Sequence, residues 1–291
     1  MRLRRRSAGW YLLPVTLFLA LALGPVQGAG AQQVPPWVSY QLGQMELRNR
    51  NYAQALELFS EALAGQPLFP EALAGIAATH QAVGDFSLAR EYYLSSLHLS
   101  SHLVVKDDEN RLRMNLVELL EFSDHREDEE LLRAQLDAVI ASDPIFTRRD
   151  PIPHQRDQMV SLLYGGGLDR VIVLYRLSHP QSTAGHRRMG TLLMSSDDED
   201  DRRLAVEHLL FAVVEITGRA VEAIIAESFR YQFTTMENFL ETVQRYPAVR
   251  DYIAEVELIR ILRELETALS RSPDAGATAA AAEIARNRFI R

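Results

Sequence analysis

The sequence predicts an all-α fold, a solenoid of about six stacked antiparallel helix pairs with a terminal helix. Three observations support this prediction. Residues 36–101 contain two helix pairs related by a shift of 34 residues, and apolar residues recur at helical spacing through the rest of the chain. No stretch alternates apolar and polar residues, as a strand would, for more than a few positions.

The second helix pair matches the first position by position. Small residues recur where helices would cross closely, and large apolar residues recur where the space between them must be filled. The small residues are Gly43, Ala55 and Ala62, matched by Ala77, Ala89 and Ser96; the large ones are Leu42 and Phe59, matched by Ile76 and Tyr93. Pro36 and Leu63 are likewise matched by Pro70 and Leu97. Both pairs are therefore predicted to pack in the same way.

Polar residues mark the turn inside each pair. Asn51 and Asp85 are matched, and each is expected to cap the helix that follows it. Gly84 supplies the left-handed conformation with which helices commonly end.

With this period and these positions, residues 36–103 resemble two tetratricopeptide repeats. The resemblance implies a right-handed solenoid whose first helices line a concave surface that holds a peptide. Matched positions place Trp37, Tyr40, Gln44, Leu47 and Arg48 there from the first repeat, and Glu71, Ala74, Ala78, Gln81 and Ala82 from the second. Family members that grip a C-terminal carboxylate have Lys and Asn where Tyr40 and Gln44 stand, which argues against that kind of clamp. Alternatively, Trp37 and Tyr40 seal the end of the stack.

Residues 1–31 are expected to be a secretory signal peptide. Arginines at the start precede an apolar run, Tyr11–Leu23, and the small-residue site Ala29–Ala31, which predicts a mature chain beginning at Gln32. The alternative is an uncleaved anchor, but the run has about 13 residues and a spanning helix needs about 20. We therefore expect a periplasmic or secreted protein with no stable membrane anchor after cleavage.

The predicted mature chain is acidic. Removing the four arginines of the signal peptide from the 31 basic residues leaves 27 against 39 acidic residues, a net charge of −12. This balance disfavours nucleic acid and anionic lipid as partners. The chain has no cysteine, which excludes disulfides, thiol catalysis and thiolate metal sites.

The pattern becomes degenerate after the second repeat. Residues 104–143 are predicted to form a third pair, with helices over 106–122 and 127–141, and residues 144–153 a proline-rich connector. Within 154–271 we expect a fourth pair (156–164 and 168–178), a fifth pair (182–216), a further pair (219–231 and 235–245) and one long helix (247–271). In the fifth pair, Gly190 takes the place of Gly43, and Ala205 and Leu209 take those of Ala55 and Phe59. Residues 272–291 are expected to be a mobile, Ala-rich tail.

No motif for chemistry is compelling. The Gly165–Gly167 run lacks the lysine of a phosphate loop, and the acidic run 197–201 lacks the spacing of a calcium loop. His98 and His102 have no Glu between them and lie where the helix ends. The sequence therefore predicts a scaffold that binds another protein or peptide, with no catalysis, cofactor or metal. A soluble small-ligand-binding accessory of an envelope transport system stays open, with a pocket near the connector. An enzyme would need buried His and acid side chains that converge near His179, His186 or His208.

Overall fold

The computed structural model describes residues 34–122, 126–142, 180–227 and 236–273. Within these ranges the chain is all-α, with eleven α-helices, one 3₁₀ turn and no strand. The predicted signal peptide, the fourth helix pair and the tail beyond residue 273 lie outside the described residues. The chain divides into two compact units, residues 1–67 and 68–291.

The first unit contains the helices α1 (Pro36–Arg48) and α2 (Tyr52–Gly65), which pack against each other. They approach closely because Gly43 has no side chain: a Cβ there would lie 2.8 Å from the Phe59 ring. Phe59 is fully buried together with Ala55 and Ala62, as predicted. Leu42 was wrongly predicted to fill the interior, since 43% of it is exposed. It points away from α2 because it lies about 100° around α1 from Gly43.

The second unit begins with α3 (Pro70–Val83) and α4 (Phe86–His98), which repeat this packing. Ile76, Ala77, Ala89 and Tyr93 are buried, at the positions that the 34-residue shift predicts. Ser96 adds a bond that Ala62 cannot make, because its Oγ donates to the Pro70 carbonyl at 2.8 Å. Apart from Leu42, which is exposed where Ile76 is buried, the matched core residues thus occupy equivalent places in the two pairs.

The two turns differ in their caps. Gly84 ends α3 with φ +85°, the left-handed conformation predicted for it, and the Asp85 carboxylate accepts from the Leu88 N–H at 3.3 Å. Asn51 does not cap α2: its amide donates instead to Glu46 Oε2 at 2.6 Å. The prediction that Asn51 caps α2 was wrong, since no side-chain hydrogen bond caps this helix.

The third pair is α5 (Asp108–Leu120) and α6 (Arg126–Ala141), which follow a 3₁₀ turn at Ser100–His102. Its apolar stripes are buried as predicted, through Leu112, Leu116, Leu119 and Leu120 on α5 and Leu132, Leu136 and Val139 on α6. The helix α5 has 13 residues, the same as α4, so the prediction of a longer helix over 106–122 was wrong. Residues 106–107 and 121–122, which the prediction included in the helix, form turns at its two ends.

The helices α7 (Pro180–Met194) and α8 (Glu199–Glu227) form the pair predicted over 182–216. A Cβ at Gly190 would lie 2.6 Å from Leu209 Cγ and 3.1 Å from the Ala205 carbonyl oxygen, which confirms the predicted match with Gly43. The helix α7 also packs directly on α6, where a Cβ at Gly185 would lie 3.1 Å from Val139. The fifth predicted pair is therefore a direct spatial neighbour of the third.

The last helices are α9 (Met236–Val243), α10 (Pro247–Glu255) and α11 (Leu258–Arg271), and α10 and α11 pack on α8. Two predicted boundaries were wrong. The helix α8 continues through Gly218, because residues before and after this glycine in the sequence, such as Ile216 and Ala220, are buried in the core of the unit. The helix predicted over 247–271 is broken at Glu257, whose φ is +53°.

Candidate functional site

The residues predicted to bind a partner on α1 lie on a largely exposed surface. Trp37 is 57% exposed, Arg48 is exposed, and Tyr40, Gln44 and Leu47 are partly buried. The Tyr40 ring lies 5.9 Å from the Phe59 ring, and its hydroxyl accepts from Gln44 Nε2 at 3.3 Å. Tyr40 is thus held in place from inside the pair, next to an exposed tryptophan.

Two more apolar side chains of α1 are exposed, Leu42 by 43% and Met45 by 55%. Residues 37, 41, 45 and 48 follow each other at helical spacing, so Trp37 and Met45 share one side of α1. Leu42 lies about 140° around the helix from Trp37. We call the surface formed by Trp37 and Met45 the α1 face. Its side chains are large and apolar, which is the composition of a protein-binding surface rather than of a catalytic one.

The residues predicted on α3 are less available. Glu71 is almost entirely buried, and its Oε1 accepts from the Val104 N–H at 2.8 Å. Gln81 accepts from the Tyr93 hydroxyl at 2.9 Å. Ala74 and Ala78 are partly buried, and Ala82 is exposed but small. The polar groups predicted to meet a partner here therefore stabilise the second unit from within.

A cleft of about 460 Å³ opens in the second unit between the end of α5, α6, α7 and α11. Its lining combines three arginines, three glutamates and a few uncharged residues: Arg187, Arg188, Arg260, Glu121, Glu257, Glu264, Leu132, Leu192 and Thr191. It lies between helices that precede and helices that follow residues 143–179. This is the part of the chain where the sequence left a small-ligand pocket open.

Ion pairs organise one side of the cleft. Arg187 contacts Glu257 at 2.9 Å and Glu264 at 3.4 Å, and Arg260 contacts both of the same carboxylates at 3.2 Å. Each of these two arginines therefore bridges the same two glutamates. Glu257 lies at the break between α10 and α11, and Glu264 lies on α11.

A separate ion pair also lines the cleft. Arg188 Nη1 donates to Glu121 Oε2 at 2.8 Å. Burial raises the pKa of the Glu121 carboxyl above its usual range, although the positive charge of Arg188 acts in the opposite direction. The carboxylate is still accessible to solvent, since 38% of its side chain is exposed.

A buried polar cluster joins α7 to α8. The Nδ1 atoms of His186 and His208 are 2.9 Å apart, and the His186 ring stacks on Phe211 with centroids 4.9 Å apart. One turn away, Thr183 Oγ1 donates to Glu215 Oε2 at 2.6 Å. His and acid side chains thus do converge near two of the histidines that the sequence singled out, but His186 and Glu215 have no exposed surface on which to meet a substrate.

Charges around the cluster favour neutral imidazoles. Burial, together with the positive charge of Arg133, lowers the pKa of His208 to about 4. Burial also lowers the pKa of His186 well below its ordinary value, and His208 acts in the same direction. At neutral pH the pair is uncharged and joined by a hydrogen bond, which is a structural role.

The residues of the acidic run 197–201 form hydrogen bonds around the start of α8. Asp201 accepts from Arg133 at 3.0 Å and from Ser196 at 2.9 Å, and Asp198 Oδ1 accepts from the Asp200 N–H at 2.7 Å. In the ranges that the structure describes, no group of three or more His, Asp or Glu side chains could hold a metal ion. None of the helices described there has the length and hydropathy to cross a membrane.

Sequence reasoning singled out residues of α1 and the two histidines, and it left a pocket near the connector open without naming any residue that lines the cleft. A local signal was present in the tandem arginines Arg187 and Arg188, on a helix whose other side is apolar. No spacing indicated that Glu121 and Glu264 would meet them, because their separation along the chain is large.

No protein-family model and no curated protein matches this chain.

Proposed function

We propose that this chain is a secreted or periplasmic scaffold of the tetratricopeptide type, which binds another protein or peptide and catalyses no reaction itself. The observation that supports the proposal is the α1 face, where Trp37 and Met45 are more than half exposed on a helix that is otherwise tightly packed. Tryptophan is among the residues most enriched at the positions that contribute most to binding energy in protein interfaces. The acidic surface expected of the mature chain would select partners that are not strongly acidic.

The α1 face can be tested by site-specific cross-linking. A photoreactive phenylalanine derivative replaces Trp37 in one protein and Val104 in a matched control, since Val104 is 84% exposed but lies in a loop of the second unit. Both proteins, beginning at Gln32, are illuminated with an envelope extract. We expect a discrete adduct from position 37 that unlabelled protein competes away and that Trp37→Ala protein does not.

Two results would contradict the proposal. One is that neither position gives a discrete adduct. The other is that Trp37→Ala protein competes as well as wild type, which would mean that the tryptophan does not take part in binding. If Trp37 instead seals the end of the stack, the substitution Trp37→Ala lowers the melting temperature by several degrees and cross-linking fails. If Trp37 is an interface residue, the same substitution leaves the melting temperature nearly unchanged, because the side chain is 57% exposed.

Export is tested separately. We expect cell fractionation of the full-length protein to place it in the periplasm or medium, with Gln32 as the first residue found by N-terminal sequencing. An N-terminus at Met1 in a membrane fraction would instead support an uncleaved anchor.

A second candidate function is a small-ligand-binding accessory of an envelope transport system. The cleft favours it, because about 460 Å³ falls in the range of about 300–1,000 Å³ that ligand pockets usually have. A thermal shift screen with a panel of metabolites distinguishes the two candidates, since a ligand that binds only the folded state raises the melting temperature. A panel that leaves the melting temperature unchanged counts against this candidate.

A further inference from the structure

An arginine occupies a backbone position that favours glycine, in the turn after α1. Arg50 has a φ of +63°, in the left-handed region that is unfavourable for a residue with a Cβ. Its counterpart after the 34-residue shift is Gly84, whose φ is +85°. The first repeat thus adopts this conformation without the residue that allows it at low cost.

The backbone hydrogen bonds of the two turns are the same. The Arg50 N–H donates to the Leu47 carbonyl at 3.0 Å, and the N–H of the next residue, Asn51, donates to the Glu46 carbonyl at 2.9 Å. The matched bonds of the second repeat, from residues 84 and 85, are 3.1 and 2.9 Å long. This is the Schellman motif, whose left-handed residue is usually glycine. The turn therefore does not need an arginine.

The charge of Arg50 is not neutralised locally. Its side chain is exposed, and within the ranges that the structure describes it forms no hydrogen bond or ion pair. The carboxylate of Glu46, in the same turn, binds the Asn51 amide at 2.6 Å instead. Arg48 is also exposed and without an ion pair among the described residues. A cation in the last turn of a helix is favoured by the helix dipole, which explains Arg48 but not Arg50.

These two guanidinium groups adjoin the α1 face. A helix turns by about 100° and rises by about 1.5 Å per residue, so Arg48 lies about 20° around the axis from Trp37 and about 4.5 Å beyond Met45 along it. The exposed stripe of α1 therefore runs from a tryptophan through a methionine to positive charge. The residues of α3 that match Trp37 and Met45, which are Glu71 and Thr79, are buried. The equivalent stripe is thus covered in the second repeat.

An arginine at a position that favours glycine indicates a contact with a group that the described residues do not supply. Residues in such conformations cluster at sites with a function. A guanidinium group binds a carboxylate well, because two of its N–H groups match the two oxygens. The position lies in the turn beyond α1, so this contact differs from the clamp that family members form at the positions of Tyr40 and Gln44.

We propose that the partner of the α1 face is a peptide segment with an apolar side chain on that face and a carboxylate on Arg48 and Arg50. The carboxylate comes from an acidic side chain or from the C-terminus of the partner, since both present the same two oxygens. A single carboxylate is sufficient, so the partner need not be acidic overall. The inference rests on the proposed scaffold function and adds the chemistry of its partner.

Two substitutions separate the charge of Arg50 from its backbone cost. Arg50→Gly removes both, and Arg50→Lys keeps both. In the chain beginning at Gln32, Arg50→Gly should slow hydrogen exchange of peptides from α1 and α2 about 2- to 5-fold, and Arg50→Lys should leave it unchanged. The matched control is Arg245→Gln, because Arg245 is exposed in the turn between α9 and α10.

Binding is measured by competition for the adduct that forms at position 37 in the envelope extract. Arg50→Gly protein should need a concentration about fivefold higher than wild type to compete, because an ion pair is lost. Arg50→Lys should shift the concentration less, and Arg245→Gln should not shift it. A variant that is more stable and yet binds more weakly is not expected if Arg50 has only a structural role.

The partner segment in the adduct is identified by mass spectrometry and synthesised. Its acidic side chains are replaced by amides in one peptide, and its C-terminus is amidated in another where the segment ends the partner chain. One of these peptides should bind wild type about fivefold more weakly than the parent and should bind Arg50→Gly protein as the parent does. The peptide that loses affinity identifies the source of the carboxylate.

The inference is overturned if Arg50→Gly protein competes as well as wild type, if its α1 and α2 peptides exchange no more slowly, or if every neutralised peptide keeps its affinity. In these cases a competed adduct at position 37 leaves the scaffold function standing. An adduct that joins two copies of this chain would mean that self-association occupies the α1 face, and it would overturn both. If position 37 gives no discrete adduct, both fail.

Discussion

Substituting Gly190 by alanine tests the close crossing of α7 and α8. The added methyl would lie 2.6 Å from Leu209 Cγ, a branch point, and the Ala205 carbonyl oxygen at 3.1 Å limits movement to the other side. Overpacking of this kind costs about 1–3 kcal/mol, and the better helix propensity of alanine returns about 0.5–1 kcal/mol. We therefore expect a net loss of about 1–2 kcal/mol, although Gly→Ala inside a helix is ordinarily stabilising.

The second substitution, Leu209→Ala, separates the clash from other effects. Alone it costs about 2–5 kcal/mol, because Leu209 is fully buried. With Leu209 truncated, the methyl of Gly190→Ala no longer meets Cγ, and only its propensity gain remains. The double-mutant cycle should therefore show a favourable coupling of about 2 kcal/mol between the two positions.

Hydrogen exchange of peptides from α7 and α8 is the suitable assay, since it reports the stability of this pair rather than of the whole chain. Gly190→Ala should speed exchange about 5- to 30-fold in the wild-type background. It should slow exchange, or leave it unchanged, in the Leu209→Ala background. Equal effects in both backgrounds would refute the crossing at Gly190.

Two further predictions concern the cap and the histidine pair. Asp85→Ala should destabilise α4 by about 1 kcal/mol in a urea titration, whereas Asn51→Ala should cost α2 much less, because only Asp85 caps its helix; equal losses would contradict this difference. For His208, the unfolded chain takes up a proton near pH 6.5 and the folded chain near pH 4. The free energy of unfolding should therefore fall with decreasing pH between these values, by about 1.4 kcal/mol per pH unit from this residue. His208→Gln should flatten that slope when urea titrations at several pH values are compared; an unchanged slope would mean that His208 is not neutral in the folded state.

The packing inside a helix pair could be predicted from the sequence because it depends on residues close in the chain. A glycine, a turn of known length and an aromatic or leucine at fixed spacing determine where two antiparallel helices touch. That is why Gly43 against Phe59 and Gly190 against Leu209 were both predictable. The prediction that Leu42 is buried was wrong. Its match in the second repeat, Ile76, is buried, but the repeat pattern does not reveal that this side of α1 is exposed to solvent.

The helix boundaries in the last third could not be predicted in this way. A glycine such as Gly218 usually favours the end of a helix, but the packing of the residues around it on α8 outweighs the low helix propensity of glycine. Glu257 has good helix propensity and still breaks the helix, and its carboxylate is bound by Arg187 of α7 and by Arg260. Interactions between distant residues determined both outcomes.

The same distinction separates the two candidate surfaces. The α1 face is local: its residues lie within one helix, and the repeat pattern singled out Trp37 but not Met45. The cleft needs Glu121 from α5, Arg188 from α7 and Arg260 from α11, which only the packing of α7 directly on α6 and α5 brings together. The ion pairs that line it join residues far apart in the chain, such as Arg188 with Glu121 and Arg187 with Glu264, so no local spacing could indicate them. A cleft of this kind can be recognised only when the packing of distant helices is known.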